Sequence, residues 1–149
     1  MRTLRLIATG KLHRICHRAG DQVSLADGRR FVVFRATSCS ASEGVADDDE
    51  NMSLEVWFHL RFVPSHARVR RFLFERESIL NTLLFAGFPG YMTKLWMVDP
   101  VTNDYAGLYS WSGRRNAERY ATYITTLLGP LSTPGSVGHR LIELNGPAR

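Results

Sequence analysis

The stretch from Phe88 to Trp111 constrains the fold of this chain more than any other. Met92–Val98 and Tyr105–Trp111 are dense in aromatic and aliphatic residues of the kind that fill strands. Between them, Asp99-Pro-Val-Thr-Asn-Asp104 carries the Pro, Asn and Asp that form turns. The segment therefore reads as a β-hairpin.

Its flanks extend the pattern. Upstream, Leu54, Val56, Phe58, Leu60 and Phe62 alternate with Glu55, Trp57, His59 and Arg61 at the period of two that marks a strand. Pro64 ends that strand and Ser65 can cap a helix, in which Val69, Phe72, Leu73, Leu80, Leu83 and Leu84 recur at helical spacing up to Gly87. Downstream, Ser112 or Gly113 can cap a second helix with Ala117, Tyr120, Ala121, Ile124, Leu127 and Leu128 on one face, stopped by Gly129-Pro130. A last strand follows over Ser136–Leu144. Strand, helix, strand, strand, helix, strand folds with right-handed crossovers into an antiparallel sheet with both helices on one side, the α+β ferredoxin-like βαββαβ pattern.

Residues 1–53 form an N-terminal extension to this unit, which occupies residues 54–149. Within the extension, Gln22-Val-Ser-Leu-Ala26 and Arg30–Ala36 flank Asp27-Gly28, and predict another hairpin. Leu4, Ile7, Ala8, Leu12 and Ile15 fit a helical stripe interrupted by Gly10, and fit a strand as well. Residues 40–53 are small and acidic and read as a loop.

A length of 149 residues, 44% hydrophobic and 22% charged, suits a single globular domain with a packed core. No apolar run approaches the ~20 residues of a membrane span and no secretory signal is recognisable, so a cytoplasmic location is expected. Cys16 and Cys39 are then two free thiols. The net charge of +5 comes from arginines scattered over every segment, Arg68, Arg70 and Arg71 being soon followed by Glu75 and Glu77. That is a solvated helix face and not a nucleic-acid tract.

If the helices cover one face of the sheet, the apolar set Leu54, Val56, Phe58, Leu60 and Phe62 belongs beneath them. The opposite face would then carry Trp57, His59 and Arg61, joined by Lys94 and Trp96 and by Tyr105, Tyr109 and Trp111, with Leu95, Met97, Ala106 and Leu108 toward the helices. His139 could join the outward set, its phase being left open by Gly138 and Arg140. An aromatic face that large needs cover. Two copies packed sheet to sheet would supply it and would enclose an aromatic, small-molecule pocket.

Pro89-Gly90, Lys94-Leu95-Trp96, Asp99, Asp104-Tyr-Ala-Gly-Leu-Tyr109 and Trp111 resemble the dimeric α+β barrel superfamily, in particular its YdhR-like branch of small mono-oxygenase-like proteins. The resemblance covers roughly residues 54–144, and the N-terminal fifty residues depart from the minimal family pattern. It implies a homodimeric barrel with no nucleic acid or membrane partner, acting on a hydrophobic aromatic or polyketide-like compound without a cofactor. Relatives include cofactor-independent mono-oxygenases, polyketide cyclases, haem-degrading enzymes and proteins with no known reaction.

His59 is the candidate general base, because an imidazole suits proton transfer near neutrality and its strand position faces the expected cavity. Arg61 or Lys94 would stabilise a phenolate or enolate, the ordinary alternative being ion pairs with Glu55 or Asp99. Trp57, Trp96, Tyr105, Tyr109, Trp111 and His139 would line the substrate site, although aromatic stripes on strands more often form core. His13 and His17 stand four apart with no third metal ligand evident, and convergence of His59, His139 and Glu55 is beyond what sequence shows. No metal or organic cofactor is expected; haem on His59 or His139 is the weaker alternative, and a binding protein whose aromatic face serves only dimerisation is the non-enzymatic one.

Overall fold

A computed structural model describes residues 12–14, 19–39, 51–61 and 88–144, and shows seven strands and one helix among them. The strands are β1 (Leu12–Arg14), β2 (Gln22–Ser24), β3 (Arg30–Cys39), β4 (Asn51–Phe58), β5 (Tyr91–Val98), β6 (Tyr105–Ser112) and β7 (Gly138–Glu143). The helix α1 (Arg114–Leu128) precedes a short 3-10 turn, Gly129–Leu131. All strand pairings are antiparallel, in the order β1-β3-β5-β6-β4-β7, with β2 attached to β3 alone.

Strands β7, β4, β6 and β5 lie side by side in the order a ferredoxin-like unit requires. Its second helix is α1; the expected helix over residues 65–87 lies outside the described residues. The β2–β3 hairpin forms as its Asp27-Gly28 predicts, with Gly28 at φ 86° where an L side chain would be strained. From there β3 runs on beside β5, with a bulge between Val33 and Arg35, so the N-terminal segment lengthens the same sheet. The open choice for residues 4–15 resolves to strand over Leu12–Arg14.

Two boundaries differ from the sequence reading. Strand β4 begins at Asn51, because Asn51 to Ser53 pair with Ser112 to Ser110 on β6, while Met52 and Ser53 also pair with Glu143 and Ile142 on β7. It ends at Phe58 because the next residues pair elsewhere. Thr133 N–H donates to His59 O at 2.8 Å, Arg61 N–H donates to Leu131 O at 3.0 Å, and Leu60 bridges Ser132.

The apolar side chains sort into two cores, one on each face of the sheet. Beneath α1 lie Met52, Leu54, Val56, Tyr91, Trp96, Tyr109 and Trp111, packed by Ala117, Tyr120, Ala121, Ile124 and Leu128. That helical face matches the sequence reading except for Leu127, which is exposed. On the opposite face Leu25, Phe31, Val33, Met97 and Ala106 form the second core, with Trp57, Leu95 and Leu108 at its edge. Leu25 and Phe31 come from the β2–β3 hairpin, whose tip lies over the sheet and donates Ala26 N–H to Glu55 Oε1 at 2.9 Å.

This arrangement corrects the faces expected for β5 and β6. Residues directly opposite across an antiparallel pair share a face. Leu54 stands opposite Tyr109, and Tyr109 opposite Lys94. Lys94, Trp96, Tyr105, Tyr109 and Trp111 therefore join Leu54, Val56 and Phe58 on the helix side, and Leu95, Met97, Ala106 and Leu108 face the other way. The physical reason is area: a Trp or Tyr buries ~150–250 Å2, or about 4–6 kcal/mol of transfer free energy, more than Leu or Ala at the same place. The larger rings go beneath the helix, while the hairpin covers the smaller set. Among the described residues no helix is long and apolar enough to cross a membrane.

Candidate functional site

Between the sheet and α1 the rings do not close completely. Phe58 from β4, Lys94 and Trp96 from β5, Tyr105, Gly107 and Tyr109 from β6, and Ile124 and Leu128 from α1 surround a cavity of about 20 Å3. That is room for about one water molecule. Gly107 is needed here, because a Cβ on it would lie 2.7 Å from the Tyr109 ring edge. At one end the Phe58 and Tyr105 rings stack at 5.8 Å.

The amine in this wall is Lys94, only 2% exposed. Its Nζ lies 3.0 Å from the centroid of the Trp96 ring and 4.5 Å from that of Tyr109. Ring faces attract a cation, and burial strips an ammonium of its hydration. Burial accordingly pushes the Lys94 pKa well below that of an ordinary lysine, and the Arg35 charge pushes it further in the same direction. Two hydroxyl pairs are buried in the surrounding core, only Tyr109 among them lining the cavity. Tyr120 O–H donates to Tyr109 Oη at 3.2 Å. Tyr91 O–H donates to Thr37 O at 3.2 Å and its oxygen stands 2.8 Å from Thr37 Oγ1. Burial raises the phenol pKa of both Tyr109 and Tyr120, so both stay protonated through the neutral range.

Just beyond the Phe58–Tyr105 pair, the next residue of one strand meets the preceding residue of the other. His59 Nδ1–H donates to Asp104 Oδ1 at 2.7 Å, both side chains being partly exposed. Ser136 fixes the His59 backbone, accepting its N–H at 3.2 Å and donating to its carbonyl at 3.3 Å. With Nδ1 held by a carboxylate, Nε2 is the nitrogen left to accept a proton. The arrangement can orient a base at the end of β4, next to Phe58.

The structure thus brings Lys94, Trp96, Tyr105 and Tyr109 together around the cavity, while His59 follows the lining residue Phe58 without itself lining it. It does not bring the other expected site residues to the cavity. Trp111 is fully buried core, at 5.0 Å from Tyr120 and 5.8 Å from Tyr91. Arg61 is exposed, in the bend after β4. His139 is exposed on β7 opposite Val56. Trp57 lies on the far face between the Arg29 and Arg140 guanidiniums, 4.9 and 5.4 Å from its ring. Glu55, offered as a partner of Arg61 or Lys94, is bound instead by Arg140 Nη1 at 3.2 Å. Asp99, the other offered partner, caps its own turn by accepting Val101 N–H at 2.8 Å.

Asp104, Tyr120 and the Thr37–Tyr91 pair were not singled out as site residues by sequence. Asp104 read as a turn former and Tyr120 as helix core, and each is both. Among the described residues no three His, Cys, Asp or Glu side chains come close enough to hold a metal ion. His17 and Cys16 lie outside the described residues.

No family model matches the sequence, and no curated protein matches it. Among solved structures the chain is similar to an uncharacterised ferredoxin-fold protein from Listeria monocytogenes, related to antibiotic biosynthesis monooxygenases. The identity is 14% over 80% of this chain and 66% of that one, just under two thirds of its length, with a TM-score of 0.48. It is also similar to a monooxygenase from the gene ActVA-Orf6 of Streptomyces coelicolor, solved in complex with nanaomycin D. Here the identity is 12% over 70% of this chain and 96% of that one, with a TM-score of 0.47.

Proposed function

We propose that the groove between the sheet and α1 binds a flat, hydroxylated aromatic or polyketide-like compound, and that the protein oxygenates it without an organic cofactor, as in the YdhR-like branch of the dimeric α+β barrels. The observation that carries this reading is Lys94, an amine buried in an aromatic-lined cavity. The cavity admits one oxygen atom of such a ligand, with the rings in its mouth against Phe58 and Tyr105.

Lys94 takes the proton of the ligand hydroxyl, and the ammonium so formed stays beside the phenolate and stabilises its charge. The electron-rich ring carbon then adds dioxygen to give a hydroperoxide, which loses water and leaves a quinone carbonyl. One oxygen atom enters the product and the other leaves in the water. His59, oriented by Asp104 and partly exposed, exchanges protons with solvent beside Phe58 and Tyr105. Arg61 has no part in this scheme, and a cyclase would use the same base. The assembly proposed is a homodimer, its partner covering the edge of the far face that the hairpin leaves half-buried at Trp57, Leu95 and Leu108.

The small enclosed volume favours one competing reading, a binding or dimerisation protein whose groove is closed. Oxygen uptake with a panel of hydroxynaphthoquinones and anthrones separates the two. Turnover that falls at least tenfold in Lys94→Met and less in His59→Ala supports the enzyme; no uptake with any of them, alongside saturable quenching of tryptophan fluorescence, supports the binder.

A further inference from the structure

The chain contains 17 arginines and only two lysines, Lys11 and Lys94. Arginine carries nearly all of its positive charge, yet the side chain buried in the cavity wall is a lysine. The two differ in one chemical respect that matters in a dry site: a lysine can lose its proton and become a nucleophile, and an arginine cannot. A merely structural cation over Trp96 would be served as well by a guanidinium, which stacks on rings and is more weakly hydrated.

We propose that Lys94 is a nucleophilic amine that condenses with an aldehyde or ketone of the ligand, so that the groove takes carbonyl-bearing aromatic compounds and holds them as an imine. For carbonyl-bearing ligands this role takes the place of Lys94 as base, and the inference rests on the assignment above of the groove as the ligand site. The lowered pKa of Lys94 leaves a larger share of its amine neutral than in an ordinary lysine, of which only ~0.04% is neutral at pH 7. The nitrogen lone pair attacks the carbonyl carbon, forming the C–N bond while the C=O π electrons move to oxygen. The oxygen takes a proton from the protonated phenol of Tyr109, whose ring stands 4.5 Å from Nζ. The nitrogen gives one of its two protons to the Tyr109 phenolate, which passes it to the carbinolamine hydroxyl as that leaves as water, and the nitrogen then loses its remaining proton back to Tyr109. One water is released, and nothing is oxidised or reduced. Around the nitrogen, Trp96, Phe58 and Leu128 exclude the bulk water that would hydrolyse the product.

The test uses residues 1–149 at pH 7 with 2-hydroxybenzaldehyde as probe and sodium cyanoborohydride to reduce any imine, read by intact mass and peptide mapping. The expected result is a single adduct on Lys94, formed at least tenfold faster than on Lys11, saturating with probe and blocked by Leu128→Trp, which fills the cavity while leaving Lys94 in the sequence. The same reaction in 6 M guanidinium should remove the preference. Modification of Lys11 and the amino terminus alone, with Lys94 reacting only after unfolding, overturns the proposal. Binding of 1-naphthol, which has no carbonyl, is measured in parallel by tryptophan quenching. If 1-naphthol binds and Lys94 is not trapped, the imine fails and the groove stands; if neither occurs, the groove assignment fails as well.

Discussion

At the scale of single residues the energetics turn on Lys94. A buried amine whose folded pKa lies below its unfolded value binds fewer protons when folded, so stability rises with pH across the window between the two. The cost is absent above the ordinary lysine pKa of ~10.4, where both states are neutral, and is fully present below the depressed folded value. Lys94→Met is therefore expected to stabilise the protein at pH 7, and its advantage should shrink toward pH 10 at up to ~1.4 kcal/mol per pH unit. Urea denaturation of both proteins from pH 7 to 10.5 checks this; a pH-independent difference would contradict it. The neighbouring phenols give a second expectation. Tyr109→Phe leaves the Tyr120 hydroxyl without its acceptor in the core, at a cost of ~1–3 kcal/mol. Tyr120→Phe removes the donor, and the double variant should cost less than the sum by about 0.5–1.5 kcal/mol. Additive losses would show that the 3.2 Å contact carries no coupling.

At the scale of elements, both hairpins and the helix were legible because turn chemistry and period decide them locally: Asp27-Gly28, the Asp99–Asp104 turn, and Gly129-Pro130 after α1. The faces of β5 and β6 were not, for a reason particular to this sheet. With α1 on one side and the β2–β3 hairpin on the other, both faces are buried, so polarity stops discriminating between them. Lys94, the one charged side chain of β5, then pointed the wrong way, since a lysine on a strand is ordinarily outside. The register Leu54–Tyr109–Lys94 contained the answer, but pairing partners are set across long sequence separations. The site followed the faces: with β5 and β6 turned over, Trp96, Tyr105 and Tyr109 met Lys94 beneath the helix, and Trp57 remained behind. The hairpin's hold on the second face is itself testable. Glu55 is almost fully buried and accepts both Ala26 N–H and Arg140, so Glu55→Ala removes the anchor between hairpin and sheet. Hydrogen exchange at Leu25 and Val33 is expected to speed up by ten- to a hundredfold, while Ile124 on α1 is unchanged. Equal acceleration at all three sites would mean global destabilisation and not a released hairpin.

At the scale of the whole molecule, the question is whether the chain before β4 is an appendage or part of the folding unit. Leu25, Phe31 and Val33 are each no more than 3% exposed and supply most of the second core, against Met97 and Ala106 from the ferredoxin-like strands. At ~1.5–3 kcal/mol for each buried side chain, the three contribute about 5–9 kcal/mol of transfer free energy before entropy is counted. The stability of a whole domain is only ~5–15 kcal/mol. Removing β3 would also strip the hydrogen-bonded partner from β5, leaving Val98, Met97, Leu95 and Trp96 on an open edge of the kind that pairs with other chains. A chain beginning at Asn51 should therefore be marginal at best and prone to aggregate, whereas residues 1–149 should unfold in one cooperative transition with the Trp57 and Trp96 environments melting together. Urea titrations followed by far-ultraviolet circular dichroism and tryptophan fluorescence decide it. A truncated chain that stays monomeric with an unchanged midpoint would show that the second core adds nothing, and that the sheet is held from the α1 side alone.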